Sequence, residues 1–147
     1  MRDQYLQEWR ASLMNSPKLN YYSNFKFEFG FEDYLNIIQS DTLRKQLSCF
    51  RLSSHLLEIE SGRFNNVVRE NRLCKLCTMN QVETEYHFIM CCPRYTEIRH
   101  KYLGKIAWPS VNKFYNLMST KNKRKLDNIA MFLVQAFKIR KDSLSDL

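Results

Sequence analysis

Glycine and proline are scarce in this chain of 147 residues, with three of each. So few breakers exclude a turn-rich all-β sandwich or barrel and favour long helices. Long apolar runs are missing as well. No stretch reaches the ~20 residues that cross a bilayer, and the opening MRDQYLQEWR is charged and polar where a secretory leader would be apolar. The expectation is an intracellular protein, in nucleus or cytoplasm, with no membrane partner. Disulfides do not persist in a reducing compartment, so its five cysteines read as ligands or thiols rather than staples. There is no adjacent Asp-Asp and no aromatic-x-Asp-Asp strand, the carboxylate arrangement that holds Mg²⁺ for nucleotidyl transfer. Nor is there a His with several acidic residues in an endonuclease-like constellation, so the chain reads as non-catalytic.

What remains is apolar and basic. A composition of 44% hydrophobic and 14% aromatic residues supports one core and excludes disorder, and the length is that of a single domain over residues 1–147. The net charge is +8, and residues 105–147 carry nine Lys/Arg against three Asp/Glu. A polyanion would therefore be drawn to the C-terminal third. Nothing in the sequence sets an oligomeric state.

Periodicity predicts a mainly α fold, a small helical domain with room for one short strand or hairpin. Asp3 caps a first helix with Leu6, Trp9 and Leu13 on one face, ended by Ser16-Pro17. In FKFEFGF, Phe25, Phe27, Phe29 and Phe31 alternate with Lys26, Glu28 and Gly30, the period of a short strand or of an extended segment lying on helices. A second helix runs from Asp41, with Leu43, Leu47, Phe50 and Ser54 as its stripe, through His55 and Leu57 to Gly62. A lone helical histidine is usually packed in a core, which is the reading for His55. Pro93 opens a helix presenting Tyr95, Ile98, Tyr102 and Ile106, ended by WPSVN. The last helix spans Lys123 to Arg140 with Leu126, Ile129, Ala130, Leu133 and Phe137 buried, leaving residues 141–147 as a frayed tail.

The stretch CKLCTMNQVETEYHFIMCC holds four of the five cysteines and one of three histidines. Cys74 and Cys77 have the C-x2-C spacing at which a tight turn aims two sulfurs at one ion. His87 and one later cysteine complete a tetrahedral, Zn²⁺-type donor set within residues 72–95. Thr84 can cap the helical turn that carries His87. The fourth ligand is open. Cys91 lies four residues from His87, on one face of a regular helix, whereas Cys92 precedes Pro93 and could swing back toward His87 in an H-x4-C knuckle spacing. A redox C-x-x-C belongs at a helix start after a strand, and a C2H2 finger needs two late histidines; neither context is present. Cys77 with His87 as a thiol protease pair lacks a third group and an oxyanion hole. Cysteines buried without metal are the remaining alternative.

From LSCFRLSSHLLEIESGRF through RLCKLC, ETEYHFIMCCPRY and IRHKYL, and in YLQEW, KLNYY and KFYNLMSTKN, the chain resembles the C-terminal region of LINE-type, non-LTR retrotransposon reverse transcriptases. The likeness covers most of the chain. In that family the last ligand is the cysteine directly before the proline, so the resemblance implies a CCHC site of Cys74, Cys77, His87 and Cys92, with Cys91 at a position usually filled otherwise. It also implies binding of RNA or target DNA by the trailing, non-catalytic part of such an element, a decayed fragment or a reused module.

The residues offer a route to single-stranded RNA or DNA. Arg72, Lys75, Arg94, Arg99 and Lys101 flank the cysteine cluster and can neutralise phosphates. Tyr86 is the leading stacking face; Phe88 and Tyr95 have the spacing of core residues. Lys121, Lys123, Arg124 and Lys125 crowd the start of the last helix, where the macrodipole disfavours cations and a docked phosphate would relieve them. The plainer reading is a solvated helix end capped by Ser119 or Thr120. The rival function is a zinc-stapled structural or protein-interaction module, whose mark would be an exposed apolar patch.

Overall fold

The computed structural model describes residues 1–147 and is mainly helical. Its axis is a 23-residue helix near the C-terminus, α7 (Lys123–Ser145), started by Asn122, whose side chain accepts from Lys125 N at 3.0 Å. Leu126, Ile129, Ala130, Leu133 and Ala136 are buried along one stripe. Against that stripe pack α3 (Asp41–Arg51) and α5 (Thr96–Leu103). Around them lie α1 (Arg2–Met14), α2 (Tyr34–Ile37), α4 (Glu58–Phe64) and α6 (Val111–Met118). Phe88 fills the centre, with ring centroids 4.7 Å from Phe137 and Tyr95 and 6.1 Å from Phe50. No helix is long and apolar enough to cross a membrane, and all five cysteines are free thiols.

Several elements differ from the periodicity. The helix expected over Asp41 to Gly62 is two helices. Ser53 adopts a left-handed φ of 52°, Ser53 N donates to Phe50 O and Ser54 N donates to Cys49 O, which is a Schellman stop built on serine instead of glycine. His55 thus sits in a link, not a helix, and Gly62 lies inside α4, where a Cβ would come within 2.5 Å of the Arg72 side chain. FKFEFGF forms no strand because no second strand exists to pair with it. Phe25 enters the core, while Phe27, Phe29 and Phe31 stay exposed, Phe29 resting edge-on against Tyr5 and Trp9 of α1. Gly104, at φ 77°, stops α5 before Ile106. The stretch after it forms α6, capped by Ser110, which periodicity left unassigned. Asp3 lies in the first turn of α1, beyond the Met1 cap. Ser40, not Asp41, caps α3, and the tail expected to fray is helical to Ser145.

Three consecutive polar residues are buried just before the cysteine-rich turn: Glu83, Thr84 and Glu85. Each is paired, as a buried polar group must be. Glu83 takes a bidentate pair of bonds from Arg140 of α7, at 2.9 and 2.7 Å, and one from the backbone N–H of Glu58 at the start of α4. Glu85 accepts from Ser53 at 2.6 Å and lies 2.9 Å from His55 Nε2. These bonds lock α7, α4 and the α3–α4 link onto one segment.

Burial would push the Glu85 carboxyl up, but the hydrogen bond and charge of His55, with Ser53, outweigh it and hold it below its ordinary 4.5. The stabilisation from this group is therefore complete above about pH 4.5 and is lost as pH falls through the lower folded value. Glu85→Gln should flatten the acid limb of a stability against pH profile measured by urea unfolding. In the same assay at neutral pH, Arg140→Ala should cost about 3–5 kcal/mol, because it strands the buried Glu83 charge.

Candidate metal centre

The C-x2-C segment is a miniature hairpin. Leu73 and Val82 form an antiparallel bridge, with Cys74 N donating to Gln81 O and Glu83 N to Arg72 O, each at 2.9 Å. Asn80 closes it with a φ of 51°, a left-handed turn that asparagine tolerates. Folding the chain back this way brings Cys74 and Cys77 opposite the next turn.

That turn is wide. Thr84 Oγ1 accepts from His87 N at 3.1 Å, the cap expected from sequence, and residues His87–Cys91 form a π turn in which Cys92 N donates to His87 O at 2.8 Å. The i to i+5 bond and the extended conformation of Cys92 before Pro93, φ −57° and ψ 121°, bring the second cysteine to the histidine. In a regular helix Cys91 would have stood there. Arg99, buried, holds the turn by donating to Ile89 O and Cys92 O at 2.6 Å each.

The side chains of Cys74, Cys77, His87 and Cys92 present donor atoms that all lie within 4.8 Å of one another, a group able to hold a metal ion. Cys91 is outside the group, beside Tyr86. The sulfurs of Cys74 and Cys92 are 3.9 Å apart, and Cys77 Sγ is 3.5 Å from His87 Nε2. Tetrahedral bonds of ~2.3 Å to sulfur and ~2.0–2.1 Å to imidazole nitrogen have edges of ~3.8 and ~3.6 Å, close to both distances. His87 Nδ1 lies 3.1 Å from Gln81 Oε1, so its proton points outward and the Nε2 lone pair faces the thiols. The hydrogen bond to Cys92 and burial push the Cys74 thiol up to about 12, while the same bond lowers Cys92. Three thiols this close cannot all ionise without a cation among them, so loading the site displaces protons.

The other residues singled out from sequence divide sharply. Phe88 and Tyr95 are buried core, and Tyr86 is half-buried, edge-on to Phe114 at 6.0 Å. Arg99 serves the π turn and is not free for phosphate. Arg72 donates to Val67 O and Ile59 O across Gly62. Lys75 pairs with Glu58, Lys121 with Asp33 and Lys123 with Asp127. Arg94 donates to Ser143 of α7, and Lys101 lies 5.0 Å from the Tyr102 ring centroid. Arg124 and Lys125 have no carboxylate partner and are exposed. Lys125 lines a groove of about 320 Å³ between α5, α6 and α7 with Tyr102, Lys113, Asn116 and Asn128.

Sequence reasoning missed Gln81, Glu83 and Arg140. Gln81 has no spacing signal. Arg140 did: it falls three residues beyond Phe137 on the buried stripe of α7, and a cation on a buried stripe requires a buried acid. No family model, curated protein or solved structure matches this chain.

Cys92→Ser should abolish metal binding and Cys91→Ser should leave it intact, read by native mass spectrometry and by the absorption of a cobalt-substituted sample. Gln81→Ala should weaken metal affinity by about 10- to 100-fold, through loss of the group that orients His87.

Proposed function

We propose that this chain is a non-catalytic zinc-binding helical module that holds single-stranded RNA or DNA, the trailing region of a non-LTR retrotransposon reverse transcriptase or a module derived from one. The observation that carries the reading is the gathering of Cys74, Cys77, His87 and Cys92 into a group whose donor atoms all lie within 4.8 Å of one another, two of the separations being near those of a tetrahedral site. Three sulfurs and one imidazole suit Zn²⁺, and four protein ligands leave no position for a reacting water. The ion's role is structural. It joins the 73–82 hairpin to the π turn, and through Phe88 the π turn is plugged into the core.

The nucleic-acid part of the proposal rests on the resemblance and on charge. Arg124 and Lys125 stand without ion-pair partners at the start of α7, and Lys125 lines a groove with Lys113, two asparagines and Tyr102 and with no acidic side chain. Phosphates would find cations and amide donors there, and Tyr102 offers a face for a base. Arg72 and Arg99 donate to backbone carbonyls and Lys75 pairs with Glu58, so the reading leans less on the cluster's flanks and more on this groove. A second reading, a zinc-stapled protein-interaction module, is favoured by Phe27 and Phe31, each 67% exposed.

A salt-titrated binding assay on single-stranded oligonucleotides tests the first reading. Affinity should fall steeply with salt, and Arg124→Ala with Lys125→Ala should flatten the log K against log[salt] slope by roughly 1.4, at ~0.7 per phosphate contact. Thermal stability should be unchanged or slightly higher, since cations leave the positive end of a helix dipole. Salt-independent binding, or an unaltered slope, would leave the interaction module as the better account.

A further inference from the structure

Beyond Phe25 the period-two aromatic stretch adds nothing to the buried core. Residues 27 to 31 are all exposed, and no backbone N–H among them has a partner within the chain. The segment is held bent at Glu28 and Gly30, with Lys26 Nζ donating to Gly30 O at 3.1 Å. Gly30 has a φ of 150°, a conformation that side-chain-bearing residues rarely adopt. Nothing lies within 4 Å of where its Cβ would be, so the conformation alone demands glycine.

We propose that residues Phe27 to Phe31 form a strand that pairs antiparallel with the same segment of a second copy of this chain. The pattern is self-complementary about Phe29. That register sets Phe27 opposite Phe31 of the mate, Glu28 opposite Gly30 and Phe29 opposite Phe29, all aromatic rings on one face and no like charges opposed. It also sets Lys26 opposite the mate's Glu32, a match that adds no new charge complementarity because the two already pair at 3.6 Å within each chain. A parallel in-register pairing would oppose Glu28 to Glu28 and is disfavoured. Pairing about Phe27 instead would require Phe25, which is in the core, and the N–H of Lys26, which already donates to Tyr22 O. The Phe29-centred register needs neither, using the unpaired N–H groups and the exposed rings. Phe29 keeps its contact with Tyr5 and Trp9, so each mate would bring α1 to the flank of the new ribbon. Two short strands are marginal alone, so the association is weak and concentration-dependent.

Sedimentation velocity on the full chain over the micromolar to sub-millimolar range tests this. The wild type should shift from monomer to dimer as concentration rises. Phe27→Ser with Phe31→Ser, both at exposed positions, should raise the dimer dissociation constant at least about tenfold with unchanged far-UV circular dichroism. Gly30→Val should act oppositely, tightening the dimer several-fold, because valine disfavours the bent φ and suits an extended strand. A wild type that stays monomeric together with a monomeric Gly30→Val variant would overturn the proposal and leave the stretch to a strand of another protein. A dimer insensitive to the serine pair, or loosened by valine, would overturn it equally, placing the contact elsewhere.

Discussion

Two carboxylates and a hydroxyl carried side by side into the interior, Glu83, Thr84 and Glu85, are the constraint on which the rest of this structure depends. Each must be satisfied, because an unpaired buried charge costs several kcal/mol, more than a domain of this size can leave uncompensated. Satisfying them draws in groups from every direction: Arg140 from α7, the N–H of Glu58 from α4, Ser53 and His55 from the α3–α4 link, and the N–H of His87 from the π turn. The helices are therefore registered against one polar segment, and apolar packing fills in around it.

The candidate metal centre is the continuation of that segment. Val82 closes the hairpin that presents Cys74 and Cys77, and two residues after Glu85 comes His87. Glu83 Oε1 lies 3.9 Å from Cys74 Sγ and accepts from Arg140 Nε at 2.9 Å. Ordering of the ligands and docking of the last helix thus share one carboxylate. Without a sheet, a region of short turns between α4 and α5 has few backbone ladders of its own. An ionic cross-link of this kind, joined by a metal where one is bound, is what such a region has to hold it.

The surface follows from the interior. Arginine and lysine stems cover apolar area and their heads seek carbonyls or carboxylates, so several cations read from sequence as phosphate contacts also bond within the fold. Arg72 over Gly62 and Arg99 over the π turn are the clearest cases. Arg124 and Lys125 at the beginning of α7, far along the chain from the cysteines, and Lys101 of α5 keep no carboxylate partner.

Where local chemistry decides, the sequence was sufficient. The stripe Leu126, Ile129, Ala130, Leu133 is legible because one helix face repeats every 3.6 residues, and the donors Cys74, Cys77 and His87 because ligand spacing is a property of short turns. Thr84 as a cap follows from the same short range. The tertiary structure decided what depends on distant partners. The choice of Cys92 over Cys91 needed a π turn held by Arg99, and the break at Ser53 needed Glu85 to receive its hydroxyl, with no glycine to announce it. The strand pattern at Phe25 to Phe31 stayed unfulfilled within the chain, since a strand exists only through pairing and the helical fold supplies no mate. Burial of Arg140 and Glu83, 57 residues apart, is of the same kind: each is an ordinary charged residue until the other desolvates it.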